Sequence, residues 1–286
     1  MRPFKFLEPK TLDEACSLLS KHKEEARLIA GGQSLVPMLK HRLISPRYII
    51  NLKGISELEY IKEGADSLRI GALTSQRAVE TSNTVIKRFP ILSEAERNVA
   101  AIQIRNWGTI GGSLAEADPV GDPAPALMAL GGRIKATSTR GEREIALDDF
   151  FVDYLENALE ADEILTEIII SYLEPRTGGC YLKEVERAGD TGIASVAVVV
   201  NLDNKDKVKE ARIVLGCQAS TPIRAKQAEG AVVGKGCDEG MEAIAEAVIK
   251  EANPAADVLG SVEYKLAIVQ VIAKQALKTA IERAKG

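Results

Sequence analysis

A chain of 286 residues is too long for one small domain and points to about two, at ~100–200 residues each. Its 45% hydrophobic and 27% charged residues are ordinary for a globular protein and exclude disordered, collagen-like and coiled-coil chains. A net charge of −4 with only 4% aromatics leaves neither a basic footprint nor a stacking platform for nucleic acid.

Thr11-Leu-Asp-Glu14 is a capping box, opening a helix with Leu12, Ala15, Leu18 and Leu19 on one face. Arg27–Ala30 is a short strand that stops at Gly31-Gly32, and Tyr48–Leu52 is another. Leu68–Ala72 alternates like a half-buried strand, with Thr74 as the expected cap of the helix after it. Ile91–Ala101 is a helix started by Pro90 and charged on one face. A Gly-rich turn is expected at Gly108–Gly112, then a loop punctuated by Asp118-Pro119 and Asp122-Pro123. Ala124–Leu130 is a buried helix ending at Gly131-Gly132. Arg133–Ser138 and Glu142–Ala146 form a hairpin, and Ile164–Leu173 is a long strand.

Pro175-Arg-Thr-Gly-Gly179 clusters breakers and is the expected linker, placing the domain cut near residue 176. Beyond it, Tyr181–Arg187, Ile193–Leu202 and Val208–Cys217 are strands of an antiparallel meander. Helices are expected over Arg224–Ala231, Glu239–Glu251 and Val262–Ala284. No apolar run approaches the ~18 residues of a membrane span, and Met1–Phe6 has no apolar signal core, so a cytoplasmic protein is expected.

Several chemistries are poorly supplied. The two histidines, His22 and His41, sit among lysines, so a Ser-His-Asp triad or a histidine-rich metal site is not supported. Cys16, Cys180, Cys217 and Cys237 lack the spacing of zinc or iron–sulfur sites. Gly32–Val36 departs from a nucleophile elbow at Val36, and Gly230–Gly236 departs from a phosphate-binding loop in spacing and at Gly236. No GxGxxG fingerprint occurs.

Two double-glycine segments remain: Ala30-Gly-Gly-Gln-Ser34 after a strand, and Thr109-Ile-Gly-Gly-Ser113. Glycines let a backbone approach a ligand, and successive N–H groups in such turns form anion-binding nests. Two facing nests with Ser34, Thr109 and Ser113 beside them could hold a pyrophosphate. Asp118 and Asp122 follow closely, either as acceptors for sugar hydroxyls or as a metal pair; Asp-Pro also simply makes turns.

At these residues the chain resembles the FAD-binding medium subunit of the molybdenum hydroxylases, the family of the carbon monoxide dehydrogenase flavoprotein and the xanthine dehydrogenase FAD domain. The resemblance rests on Ala30–Leu35, on Ile104-Arg-Asn-Trp-Gly-Thr-Ile-Gly-Gly-Ser-Leu-Ala115, and on Asp118-Pro-Val-Gly-Asp122. Gly141-Glu-Arg143, Asp149-Phe-Phe151, Lys183–Asp190 and Pro222–Ala225 extend it, in order, from Pro3 to about residue 280. It implies an α+β fold: a PCMH/VAO-type FAD-binding domain over 1–176, in subdomains of about 1–54 and 55–176, then a CO dehydrogenase flavoprotein C-terminal domain of antiparallel sheet plus helices over 177–286.

The resemblance implies that Ala30, Gly31, Gly32, Gln33, Ser34 and Leu35, with Thr109, Ile110, Gly111, Gly112 and Ser113, form the two loops on the FAD pyrophosphate. It assigns Asp122, and less directly Asp118, to FAD contacts, Lys183 to the flavin side, and Leu165 to the apolar surroundings of the ring. No residue is expected to be catalytic in its own right and none to bind metal. FAD is expected to be non-covalent, since neither histidine lies in a matched loop. One departure stands out: Thr191-Gly192 occupy a place where many relatives carry an aromatic that covers one flavin face.

The function implied is an electron relay. A large molybdopterin subunit would hydroxylate the substrate, and a small subunit with two [2Fe–2S] clusters would pass the electrons to FAD and on to an external acceptor, in a dimer of heterotrimers. Two other readings are a stand-alone FAD-dependent reductase on the same superfold, for which no third-domain catalytic set is found, and a nucleotide-binding scaffold, against which both glycine segments are intact.

Overall fold

The computed structural model describes residues 1–286. The first unit is a three-stranded parallel sheet of order β1-β3-β2, made of β1 (Lys5–Leu7), β2 (Ala26–Ile29) and β3 (Tyr48–Asn51). Parallel strands need crossover connections, and α1 (Leu12–His22) and α2 (Leu35–Lys40) are placed to provide them. Thr11 caps α1 by accepting from the Glu14 N–H, while the Glu14 carboxylate accepts from Lys10 N. Nothing in the sequence pattern announces α2: it is short, contains Pro37, and lacks a side-chain cap.

The second unit is a five-stranded antiparallel sheet of order β4-β5-β10-β6-β7, with β4 at Ile61–Glu63 and β5 at Ser67–Gly71. Six helices separate β5 from the rest: α3 (Gln76–Thr81), α4 (Asn83–Arg88), α5 (Pro90–Asn98), α6 (Ile102–Trp107), α7 (Ile110–Glu116) and α8 (Pro123–Ala129). The cap of α3 is Ser75, whose hydroxyl accepts from Ala78 N. Thr74 faces back instead, accepting from Tyr60 N and donating to Tyr60 O, so it ties β4 to the turn after β5. The expected hairpin is β6 (Arg133–Ser138) and β7 (Gly141–Ala146); a small ribbon of β8 (Phe151–Asp153) and β9 (Glu156–Asn157) leads to β10 (Ile164–Ser171).

The third unit is the expected meander, β11-β12-β13-β14, with β11 at Thr177–Glu184, β12 at Ala194–Leu202, β13 at Val208–Gly216 and β14 at Ile223–Arg224. Every residue of β12 is buried, because helices cover both faces of this sheet and a doubly covered strand reads as a continuous apolar run. Helices α9 (Lys226–Val232), α10 (Cys237–Glu251) and α11 (Val262–Lys285) complete it. The glycines expected to break the chain at 178–179 lie inside β11. A Cβ on Gly178 would stand 2.1 Å from Ala280 O and 2.5 Å from Ala284 N, so glycine there seats α11 against the strand. No helix is long and apolar enough to cross a membrane.

Candidate functional site

One cleft of about 320 Å³ draws its walls from all three units. Ala30–Leu35, Thr109, Gly112, Ser113, Asp118, Asp122 and Lys183 all line it. Ile110 and Gly111 are absent from the lining and sit buried in α7. Leu165 is in neither place: it is buried in β10, opposite Ala136, in the core beneath α7.

The first glycine segment is a loop between β2 and α2. Gly32 has φ +72°, a left-handed conformation that glycine adopts without a steric penalty. Gly31 is needed for a different reason. A Cβ there would stand 2.1 Å from Trp107 O and 2.7 Å from Gly108 Cα, so the loop rests directly on the end of α6. The backbone N–H groups of Gly31, Gly32, Gln33, Ser34 and Leu35 find no acceptor within the chain. Five successive unclaimed donors along a cleft wall form an anion-binding concavity.

The second segment is not a turn. Gly111 and Gly112 lie in the first turn of α7, and every N–H there is claimed: Ile110 N donates to Thr74 O, Gly111 N to Ala72 O, Ser113 N to Thr109 O, and Gly112 N to the Thr109 hydroxyl. Gly111 is required because a Cβ would meet Ala72 Cβ at 2.5 Å, so it lets α7 sit on the end of β5. The expected pair of facing nests is therefore one nest opposite a wall of hydroxyls. Thr109 and Ser113 are what this segment presents to the cleft.

At the other end stands a buried ion pair. Lys183 of β11 donates to Asp122 Oδ2 at 2.9 Å, and Tyr181 donates its hydroxyl to Asp122 Oδ1 at 2.6 Å. Both side chains of the pair are more than nine-tenths buried. Burial raises the Asp122 carboxyl above the ordinary range, while Lys183 and Tyr181 pull it back down. Lys183 also donates to Asn98 O, and Arg105 donates to Val99 O and Ala100 O. Two cations thus hold the carbonyls at and just beyond the C-terminal end of α5, where Val99 and Ala100 form cleft wall, a favourable place for positive charge.

Glu116 and Asp118 also line the cleft; burial, then the neighbouring Asp118, raises the Glu116 carboxyl. No group of three or more His, Cys, Asp or Glu side chains is arranged to hold a metal.

Sequence reasoning missed Gln76, Val99, Ala100 and Glu116, which line the cleft; the Gly189–Thr191 edge, whose Thr191 the resemblance singles out, lines it too. Gln76 and Ala100 had no signal, since only the tertiary fold brings them there. The charged face expected on α5 is also not wholly solvated: Glu96 is fully buried, and neither carboxylate oxygen has a partner.

Burial, with the nearby Asp122 and Glu80 adding to it and Arg105 opposing it, raises the Glu96 carboxyl well above its usual range. An unfolded glutamate titrates near about 4.3, so between that and the higher folded value the folded chain holds an extra proton. Stability is therefore lost as pH rises through this window. Glu96→Gln keeps the shape without the titration, and its melting temperature is expected to gain on the parent's between pH 5 and pH 8. A difference that stays constant across that range would contradict this.

Unclaimed amides, two hydroxyls and a buried ion pair thus meet along one cleft. Comparison with known proteins gives the class. Residues 2–172 match the family described as the FAD binding domain in molybdopterin dehydrogenase, and residues 180–280 match the CO dehydrogenase flavoprotein C-terminal domain. The carbon monoxide dehydrogenase medium chain of Afipia carboxidovorans is 36% identical over 288 residues, covering 99% of this chain and 98% of that one. The glyceraldehyde dehydrogenase medium chain of Sulfolobus acidocaldarius is 34% identical, covering 96% and 97%. Among solved structures, carbon monoxide dehydrogenase from Hydrogenophaga pseudoflava superposes with a TM-score of 0.95 at 36% identity, covering 99% of both chains. Quinoline 2-oxidoreductase from Pseudomonas putida gives 0.93 at 30%, covering 100% and 99%. The chain belongs to the FAD-binding subunit family of the molybdopterin dehydrogenases.

Proposed function

We propose that this chain is the FAD-carrying relay of a molybdopterin-dependent hydroxylase, and that the cleft is where FAD binds. The observation that carries this reading is the row of five unclaimed amides at Gly31–Leu35, in a chain whose two halves match the flavoprotein family. Those amides would take the pyrophosphate, with the Thr109 and Ser113 hydroxyls opposite. Asp118 and Asp122, joined by Glu116, would orient the hydroxyls of the ribose or ribityl chain. Lys183 would stand at the flavin side. Ile110, Gly111 and Leu165 would act from behind, by seating α7 on the sheet.

When bound, FAD supplies the redox chemistry, because it accepts electrons singly and gives them up in pairs. The polypeptide contributes binding, orientation and local charge. No residue of the chain is assigned a bond-making role. Electrons would come from the [2Fe–2S] clusters of a small partner subunit, fed by a large molybdopterin subunit, in a dimer of heterotrimers. We place the domain cut near residue 176, with the FAD-binding part before it and the C-terminal sheet and helices after it. A cytoplasmic location fits four free cysteines and no disulfide. The complex's substrate would be chosen in the large subunit.

Two experiments test this reading. Acid precipitation is expected to release free FAD into the supernatant; flavin pelleting with the protein would overturn the non-covalent assignment. Co-expression with the two candidate partner subunits is expected to give a stoichiometric assembly on size exclusion. A flavoprotein that stays alone under those conditions would count against the subunit role.

A further inference from the structure

Glu96 is the one carboxyl buried with both oxygens lacking a hydrogen-bond partner. A buried polar group without a partner is costly, and an isolated buried charge more so. The usual escape is neutralisation, so burial favours the protonated form of Glu96.

Its surroundings connect it to the cleft. Helix α3 contributes Glu80, which is paired with Arg77 at 2.8 Å and with Arg105 of α6 at 2.8 Å. The segment before α8 contributes Asp122, and β11 contributes Lys183 and Tyr181. Helix α8 has no titratable side chain, and Lys87 and Arg88 of α4 are exposed. Glu96 thus feels Glu80 and Arg105 behind it and Asp122, whose pair with Lys183 forms cleft wall, in front. With Glu96 neutral, the Asp122–Lys183–Glu96 group carries no net charge; with Glu96 ionised, it carries one negative charge.

We propose that Glu96 is a positioning residue for the charge of the cleft, a buried acid whose proton is linked to the electrons held there through Asp122 and Lys183. This rests on the reading of the cleft as the FAD site. Coulomb coupling acts in both directions. Negative charge gained in the cleft on reduction of a bound flavin would strengthen the hold of Glu96 on its proton. Where Glu96 is ionised beforehand, its carboxylate takes up one proton from solvent as that charge arrives. No bond between Glu96 and the flavin forms or breaks.

The test uses the full chain reconstituted with FAD, as parent, Glu96→Gln and Glu96→Met. Infrared spectra are expected to show a protonated carboxylic acid in the parent that is lost in both variants. Spectroelectrochemical titration over a range of pH should give flavin midpoint potentials that converge at the acid end. As pH rises, the parent's potential should fall more steeply, because only the parent exchanges the extra proton. Potentials that superimpose at every pH, or no protonated carboxyl in the parent, would overturn the proposal. Failure of the parent itself to bind FAD would overturn the FAD reading and the linkage with it, while the infrared signal would still decide whether Glu96 is neutral.

Discussion

Gly32→Asp is expected to abolish FAD binding while leaving the chain folded. The position has φ +72°, where an L residue is strained by roughly 1–2 kcal/mol, asparagine and aspartate being among the most tolerant. A Cβ there meets side chains and no backbone, Val36 Cγ2 at 3.2 Å and Ile29 Cδ1 at 3.3 Å, so a shift of a few tenths of an ångström accommodates it. The carboxylate is what does the damage. It can claim the free amides of Gly31–Leu35 for itself, and it sets a negative charge against the phosphates. Like charges brought together cost several kcal/mol, and each 1.4 kcal/mol is tenfold in affinity, so a loss of about 100-fold or more is expected. Gly32→Ala shares the backbone strain without the charge and should retain far more flavin. Equal occupancy in the parent and Gly32→Asp would remove this loop from the site.

Lys183→Met should destabilise the whole molecule. It leaves Asp122 as a buried carboxylate without its cation and frees Asn98 O at the end of α5. Breaking one side of a buried pair costs about 3–5 kcal/mol, enough to lower the melting temperature of a chain this size by roughly 10 °C. Adding Asp122→Asn removes the stranded charge, and the amide oxygen can still accept from Tyr181. The double variant should recover most of the loss. The penalty of the single variant should also grow as pH rises, because its Asp122 is tolerated best when protonated. A single variant that melts with the parent at pH 8 would contradict the assignment of this pair as a structural clamp on the cleft wall.

What the sequence disclosed was local. The Thr11 cap, the 133–146 hairpin and the antiparallel meander of the last three long strands are written in neighbouring residues, and all are found in the structure. Both glycine segments were visible, but not the difference between them. A glycine pair looks alike whether it frees amides, as at 31–32, or lets a helix press on a strand, as at 111 and 178; the deciding atoms belong to Ala72 and Ala280, distant in sequence. The same reason hid Thr74, which pairs with Tyr60 rather than capping α3. Asp122 was singled out by its place in the loop and Lys183 through resemblance, yet their mutual bond could not be read across the chain that separates them. Glu96 was hidden more deeply still, since a charged residue on an amphipathic helix is read as solvated until the elements around it are known.

The most direct measurement is a visible absorption spectrum of the purified chain, with and without added FAD. The expected result is a flavin spectrum with about one FAD per chain, lost in Gly32→Asp. A chain that takes up no flavin, either alone after FAD is added or when co-expressed with the candidate partner subunits, would contradict the assignment of the cleft.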